Sequence, residues 1–386
     1  IIIGSSSPRR ELLLPQFLKN YLPYKNPKIK LANIRGNIET RIGKTNNKND
    51  EDFCFDGICL AAAGLTRYLA NTQLSSEVEH ILSNSKLIML PATECPGAPG
   101  QGVLYIESKS DFEFFDDLKN ILNDPEIEKS VSVERQILKE NGGGCHQPFG
   151  VSCLQLDEKI QTTFVKGENT QNQNVTKTEY SGTFEDVELP EKVEIFDAAK
   201  LNSKIFKRKF IDYETPQNIP DFVFITKFDA LTDELIEKIK NKRIWCSGLK
   251  SWQKLKDKGF FVEGCCESLG FDNFKTLINK KPFGINQDNM LVLTHKDATY
   301  KLVEIYDEEL ISQVKRSNVF FWSSYLQYKT LKQHLENKNV LHFCGLGKTL
   351  EKLKKEQNNN IYQFPNYEYW KQWIQQKIKT QNHKEN

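Results

Sequence analysis

Methionine is nearly absent from the sequence, with two in 386 residues, and neither opens the chain. It begins Ile1-Ile2-Ile3-Gly4, with no charged stretch before the apolar residues, and so short a run cannot form the core of a secretory signal. The opening reads as a β-strand entered partway, which predicts that natural sequence lies upstream of residue 1. No apolar run approaches the roughly 18–20 residues needed to cross a bilayer, so no membrane partner is expected. Neither sign of charge prevails: 53 Lys and Arg face 51 Asp and Glu. That balance excludes a polybasic anchor and argues against nucleic acid as a partner. Cys-x-x-Cys and His-x-x-x-His spacings are both absent, which removes the usual scaffold of a zinc centre and predicts no metal. Nine cysteines without a secretory signal read as reduced thiols, and a cytoplasmic location is expected.

Large aromatics are plentiful, with 24 Phe, 13 Tyr and 5 Trp, so a core can be built in a chain whose mean hydropathy is only −0.56. At roughly 150 residues per domain, the length predicts two or three domains. Residues 1–88 alternate strand and helix signals, as a mainly parallel α/β sheet does. The strands are expected at Ile1–Ile3, Ile29–Ile34 and Phe53–Leu60, and a helix from Arg9 to Leu18. Residues 89–130 hold a Pro/Gly cluster, a strand at Val103–Glu107 and an acidic helix at Asp111–Leu122. Residues 131–200 open with a helix and the loop Gly142-Gly143-Gly144-Cys145, followed by short strands. Pro216–Pro220 reads as a linker. Residues 221–386 contain a weak repeat in which Val223–Thr226 and Ile244–Lys256 correspond to Val319–Ser323 and Leu341–Lys354. Each copy is strand, helix, strand, glycine turn, helix, which predicts two similar α/β lobes with a cleft between them.

Three constellations carry chemistry. In Gly4-Ser5-Ser6-Ser7-Pro8-Arg9-Arg10 a strand ends in a Gly/Ser turn and a helix opens behind it, an arrangement that favours an anion. Arg35-Gly36-Asn37-Ile38-Glu39-Thr40-Arg41 also follows a strand, so a parallel sheet places it at the same carboxyl edge. Four arginines then face one crevice, and their planar forks suit a ligand with many carboxylates. The plain alternatives are an ordinary helix cap and surface salt bridges. In Gly142–Gly150 the cysteine sits on a glycine loop rather than an apolar face, which fits a reactive or modified thiol.

Six motifs occur in order: Gly-Ser-Ser-Ser-Pro-Arg-Arg; Arg-Gly-Asn-x-x-Thr-Arg; Phe55-Asp56-Gly57 running into Leu60-Ala61-Ala62-Ala63-Gly64-Leu65-x-Arg67; Pro99-Gly100-Gln101-Gly102; Glu134-Arg135; and Gly-Gly-Cys-x-x-Pro-x-Gly. Together they resemble porphobilinogen deaminase, or hydroxymethylbilane synthase, over about residues 1–200. That family joins four porphobilinogen units into hydroxymethylbilane with release of ammonia. The resemblance implies that Cys145 carries a covalent dipyrromethane cofactor, and that Ser7, Arg9, Arg10, Arg35 and Arg41 bind the carboxylates of cofactor and substrate. It also implies that the family's catalytic aspartate lies in a first lobe preceding the Gly-Ser-Ser motif, so no catalytic residue is identified within this sequence.

In the C-terminal repeat, Gly345-Leu346-Gly347-Lys348-Thr349 fails as a phosphate-binding loop because His342 stands where that pattern needs glycine. The two-lobed repeat distantly resembles uroporphyrinogen-III synthase, which cyclises hydroxymethylbilane without a cofactor. The resemblance implies a cleft lined by Thr226, Ser247, Gly248, Ser323, Ser324 and Thr349; the plain alternative for each is a helix cap.

The expected architecture is α/β throughout. Residues 1–88 are the second lobe of a deaminase, of the periplasmic-binding-protein-like kind, and 89–130 are a return segment of its first lobe. Residues 131–200 are a small α+β cofactor-carrying domain, and 221–386 are two Rossmann-like synthase lobes. The expected function is tetrapyrrole (heme) biosynthesis by a bifunctional monomer acting on porphobilinogen and hydroxymethylbilane. The rivals are a chain in which only the cyclising half is competent, and a non-catalytic two-lobed anion-binding protein.

Overall fold

The computed structural model describes residues 1–45, 55–71, 73–109, 111–144, 146–156, 158–182, 187–197, 205–267, 278–285, 289–295, 302–310, 312, 316–335, 340–356 and 360–384. The first sheet is small and parallel. Strand β1 (Ile2–Gly4) lies between β2 (Lys30–Ala32) and β3 (Gly57–Ile58), with Gly4 opposite both Ala32 and Ile58. Helix α1 (Pro8–Tyr21) follows β1, with proline in its first turn where no amide partner is lost. The helix continues through Pro15 and buries Leu13, Leu14, Phe17, Leu18 and Tyr21 along one stripe. Helices α2 (Ile38–Gly43), α3 (Ala62–Asn71) and α4 (Ser76–Ser83) complete this part; Asn37 caps α2 and Ser75 caps α4 through their side chains.

Residues 91–102 form consecutive turns. The expected strand at Val103–Glu107 is not formed among the described residues: the segment has strand propensity but no neighbouring strand to pair with. Helices α5 (Phe115–Leu122) and α6 (Pro125–Glu140) follow, and Asp124 caps the second by accepting from the Glu126 and Ile127 amides. An antiparallel meander of β4 (Phe149–Gln155), β5 (Ile160–Glu168) and β6 (Asn174–Gly182) packs against α6.

The C-terminal repeat forms two sheets. One is parallel in the order β16-β15-β14-β7: β7 (Ile195–Asp197), β14 (Val319–Trp322), β15 (Leu341–Gly345) and β16 (Ile361–Phe364). The other runs β11-β10-β9-β12-β13-β8: β8 (Phe206–Phe210), β9 (Phe222–Ile225), β10 (Arg243–Cys246), β11 (Val262–Cys265), β12 (Met290–His295) and β13 (Leu302–Leu310). Helices α7 (Asp233–Ile239) and α8 (Leu249–Asp257) serve the six-stranded sheet, and α9 (Tyr325–Leu331), α10 (Lys348–Lys355) and α11 (Tyr367–Lys384) the four-stranded one. Each half of the expected repeat is present as strand, helix, strand, helix.

The chain crosses between these lobes twice, outward from β7 to β8 and back from β13 to β14. Among the described residues, strands β8 and β13 are the only antiparallel pair in the six-stranded sheet. Residues 195–197 and 206–210 thus share sheets with residues beyond 221, not with the 131–182 meander, so the lobed region starts earlier than the proline-rich stretch suggested. The two halves of the chain also share a core. Phe17 and Tyr21 of α1 pack edge-on against Trp252 of α8, whose indole N–H donates to the Tyr21 carbonyl at 3.1 Å.

Candidate functional site

The carboxyl ends of β1, β2 and β3 come together, as a parallel sheet requires. The Ser5 amide donates to the Ala32 carbonyl at 2.9 Å, and the Cys59 amide to the Gly4 carbonyl at 3.0 Å. The Ser6 hydroxyl bonds the Ile34 carbonyl and accepts from the Ile34 amide at 3.1 Å, stitching the Ser turn to the Arg35 turn. A side chain at Gly4 would meet Ile34, Phe55 and Ile58, so glycine permits this close approach.

The arginines fall into two groups. Arg9 is buried at 6% exposure, and its guanidinium donates to the Pro96 carbonyl and, at 3.1 Å, to Gln101 Oε1. Burial, reinforced by neighbouring Arg10, lowers its pKa to about 10, so it stays charged at neutral pH. Its Nε has no partner. Arg10 donates to the Cys59 carbonyl at 2.9 Å, and Arg41 Nε donates to the Gly36 carbonyl at 2.7 Å. Arg35 is exposed. Among the described residues, none of these four arginines forms an ion pair with a carboxylate. Ser7 is the N-cap of α1, yet its side chain makes no capping bond, and the Ser5 hydroxyl is buried without a partner. Among the described residues, the edge therefore holds four guanidiniums and a free hydroxyl with no carboxylate paired to them. Such a donor set fits a polycarboxylate.

Cys145, the expected cofactor attachment point, lies outside the described residues. Its loop is anchored on both sides. Gly142 adopts φ +100° close to Thr170, and Gly150 lies where a side chain would collide with the Pro96 carbonyl and the Arg9 stem. Glu134 of α6 fastens this domain to the crevice, accepting the Gly100 and Cys153 amides at 2.7 Å each. Arg67 of α3 donates to the Gly102 carbonyl, closing the turn over the first sheet.

In the C-terminal lobes, the Thr226 hydroxyl donates to the Leu293 carbonyl at 2.9 Å, and the Thr226 carbonyl accepts from Ser247 at 3.0 Å and Ser251 at 3.2 Å. Gly248 is the N-cap of α8. Ser323 donates to Gln327 Oε1 at 2.7 Å, and Ser324 caps α9 by accepting the Gln327 amide. Thr349 stands in the first turn of α10, and no hydrogen bond links it to the other five. Sequence reasoning missed the charged groups between the lobes. Arg208 of β8 lies 3.8 Å from Glu308 of β13 and over the Tyr306 ring, and Lys227 is nearby. Burial raises the Glu308 pKa, opposed chiefly by the charges of Arg208 and Lys227, and burial pushes the Tyr306 phenol up to about 12. The signal was present as Lys207-Arg208-Lys209, which the antiparallel register sets opposite Glu309, Glu308 and Asp307.

Residues 1–116 match the family model described as porphobilinogen deaminase, dipyromethane cofactor binding domain. A porphobilinogen deaminase of Lachnospira eligens is 34% identical over 183 residues, 47% of this chain and 54% of that protein. One from Legionella pneumophila strain Paris is 33% identical over 188 residues, 49% of this chain and 53% of that protein. One from Prochlorococcus marinus is 34% identical over 212 residues, 54% of this chain and 59% of that protein. A solved uroporphyrinogen-III synthetase from Helicobacter pylori aligns with a TM-score of 0.33 and 13% identity, covering 48% of this chain and 99% of that one. The chain spans about half the length of the curated relatives it matches, and its arginine-lined N-terminal part is similar to porphobilinogen deaminases.

Proposed function

We propose that the N-terminal half holds the acidic side chains of a thiol-tethered oligopyrrole during hydroxymethylbilane synthesis. The supporting observation is the set of four guanidiniums at one sheet edge with no carboxylate partner among the described residues. Cys145 is the attachment point, on a loop whose far end abuts Arg9. Bound there, a dipyrromethane primes the growing chain. Arg10, Arg35 and Arg41 keep N–H donors in reserve and grip its acetate and propionate groups, with Ser7 adding a hydroxyl. Arg9 binds from behind, contributing a fixed positive charge while it holds the Pro96–Gln101 turn. These groups bind and orient the ligand, and the acid for amine departure is assigned to none of them.

A second activity is read for the C-terminal lobes, cyclisation of hydroxymethylbilane to uroporphyrinogen III. The charged crossing at Arg208, Lys227, Tyr306 and Glu308 supports it, because it lies where the lobes meet: the Thr330 hydroxyl of α9 donates to the Glu308 carbonyl at 3.3 Å. The deaminase reading is tested by intact-mass analysis after exposure to hydroxymethylbilane. The thiol displaces the hydroxyl as water, so a four-pyrrole adduct (hydroxymethylbilane less water) is expected on the chain and none on Cys145→Ser; a bare thiol in both overturns it.

A further inference from the structure

The turns between residues 91 and 102 are held from several sides. Arg9 of α1 donates to the Pro96 carbonyl and to Gln101. The meander grips the same turns: Lys166 of β5 lies 2.8 Å from Glu94, and the Gly97 amide donates to the Ser152 hydroxyl at 2.7 Å. A further hold comes from the C-terminal half. Thr93 donates its amide and its hydroxyl to Glu267 Oε1, at 2.7 and 2.8 Å. Glu267 lies two residues beyond β11 and stands at φ +49°, a left-handed conformation that strains a residue with a side chain.

The segment leading into these turns is laid on the same lobe. Strand β11 is an outer strand of the six-stranded sheet among the described residues. The Met89 amide donates to the Glu263 carbonyl of that strand at 2.7 Å. Leu87 and Met89 pack into the cluster of Phe222, Phe224 and Trp245 on one face of the sheet. Ile88 and Leu90 pack into the cluster of Val223, Ile225 and Ile244 on the other. That alternation has the period of a strand, so residues 87–90 lie along the sheet edge as an added strand does. The turns that Arg9 braces are thus carried on the C-terminal lobe and pinned to it by a residue 174 positions from Thr93.

We infer that Glu267 is a positioning residue for the arginine crevice: it pins Thr93, and the pinned turns present Pro96 and Gln101 to Arg9. The inference rests on the deaminase reading above and adds that the C-terminal half builds one wall of the crevice. Without the Glu267 oxygen the Thr93 amide and hydroxyl lose their acceptor, the turns loosen, and the Arg9 guanidinium loses its fixed orientation. The crevice keeps its charges and its thiol, so capture of the oligopyrrole weakens while bond formation on the captured ligand does not slow.

The whole chain is titrated with hydroxymethylbilane, and intact mass follows the four-pyrrole adduct to give a half-saturating concentration and a limiting rate. Glu267→Ala should raise the half-saturating concentration by roughly tenfold, as loss of a charge-assisted hydrogen bond does, and leave the limiting rate within about twofold. Glu267→Gln keeps an acceptor oxygen toward Thr93 and should restore most of the loss. A merely structural role would lower the fraction of chain that forms adduct at the parent's half-saturating concentration; that result overturns the proposal. Hydrogen exchange reads the contact without ligand: Glu267→Ala should speed exchange across residues 93–101 by roughly tenfold. Thr93→Val, which removes only the hydroxyl, should shift both readouts in the same direction by less, and it serves if Glu267→Ala does not fold. Unchanged exchange in these variants overturns the proposal. A parent that loads while the variants keep its half-saturating concentration rejects the role of Glu267 alone, whereas a parent that forms no adduct rejects the deaminase reading and the positioning role with it.

Discussion

At the scale of the residue, Arg9 and Arg35 carry the same charge in opposite settings. Arg9 is buried and hydrogen-bonded to the Pro96 carbonyl and Gln101, whereas Arg35 is exposed and unpaired among the described residues. Removing Arg9 strands a buried carbonyl; removing Arg35 strands nothing. Arg9→Leu is therefore expected to lower stability by about 2 kcal/mol, the worth of charge-assisted hydrogen bonds. Arg35→Leu is expected to stay within about 0.5 kcal/mol of the parent while losing dipyrromethane retention. Denaturant melts together with intact-mass occupancy separate the two effects. Equal destabilisation by both substitutions would contradict the division of labour. The sequence could place both arginines after parallel strands, but it could not assign the inner role to Arg9. That role depends on a carbonyl 87 residues away, and no local pattern reports such a contact.

At the scale of the element, strand β15 shows what repeat and periodicity can and cannot reveal. The repeat located it, and its burial follows from the apolar run around Phe343. What stayed hidden was the fate of His342, which is 4% exposed and accepts from the Trp322 indole of β14 at 3.0 Å. Burial lowers its pKa to about 4 from an ordinary 6.5. The unfolded chain therefore takes up a proton at higher pH than the folded one, so stability is lost as pH falls from about 6.5 toward 4. The loss attributable to this residue is about 2 kcal/mol between pH 7 and 5. Chemical denaturation at both pH values should show it, and His342→Gln should flatten the dependence. An unchanged slope in the variant would exclude His342 as its source. The Val103–Glu107 segment fails in the opposite way. Its strand propensity is correctly read, but a strand requires a neighbour and the described residues offer none. Strands β7 and β8 were invisible because they are only 3 and 5 residues long and pair with partners more than 90 residues away.

At the scale of the molecule, the two halves are physically joined yet chemically separable. Phe17 and Tyr21 from the deaminase-like part and Trp252 from the lobed part are packed into one core, and the Met89 amide donates to the Glu263 carbonyl at 2.7 Å. Cutting the chain near residue 220 would expose that core and strip β7 and β8 from their sheets, so the proposed cyclising activity belongs in an assay of the whole chain. The proposed tether at Cys145 and the crossing at Arg208, Tyr306 and Glu308 are far apart in sequence, so the two proposed activities are tested separately. Given hydroxymethylbilane directly, Cys145→Ser should still form the type III isomer at the parent's rate while carrying no adduct. Glu308→Gln should retain the adduct and, with the buried carboxyl gone, yield mainly the type I isomer that arises spontaneously. Isomer ratios by chromatography beside intact mass on the same samples check both arms. Loss of type III product in Cys145→Ser would mean that the lobes do not act alone, and type I product from the parent would remove the cyclising activity altogether.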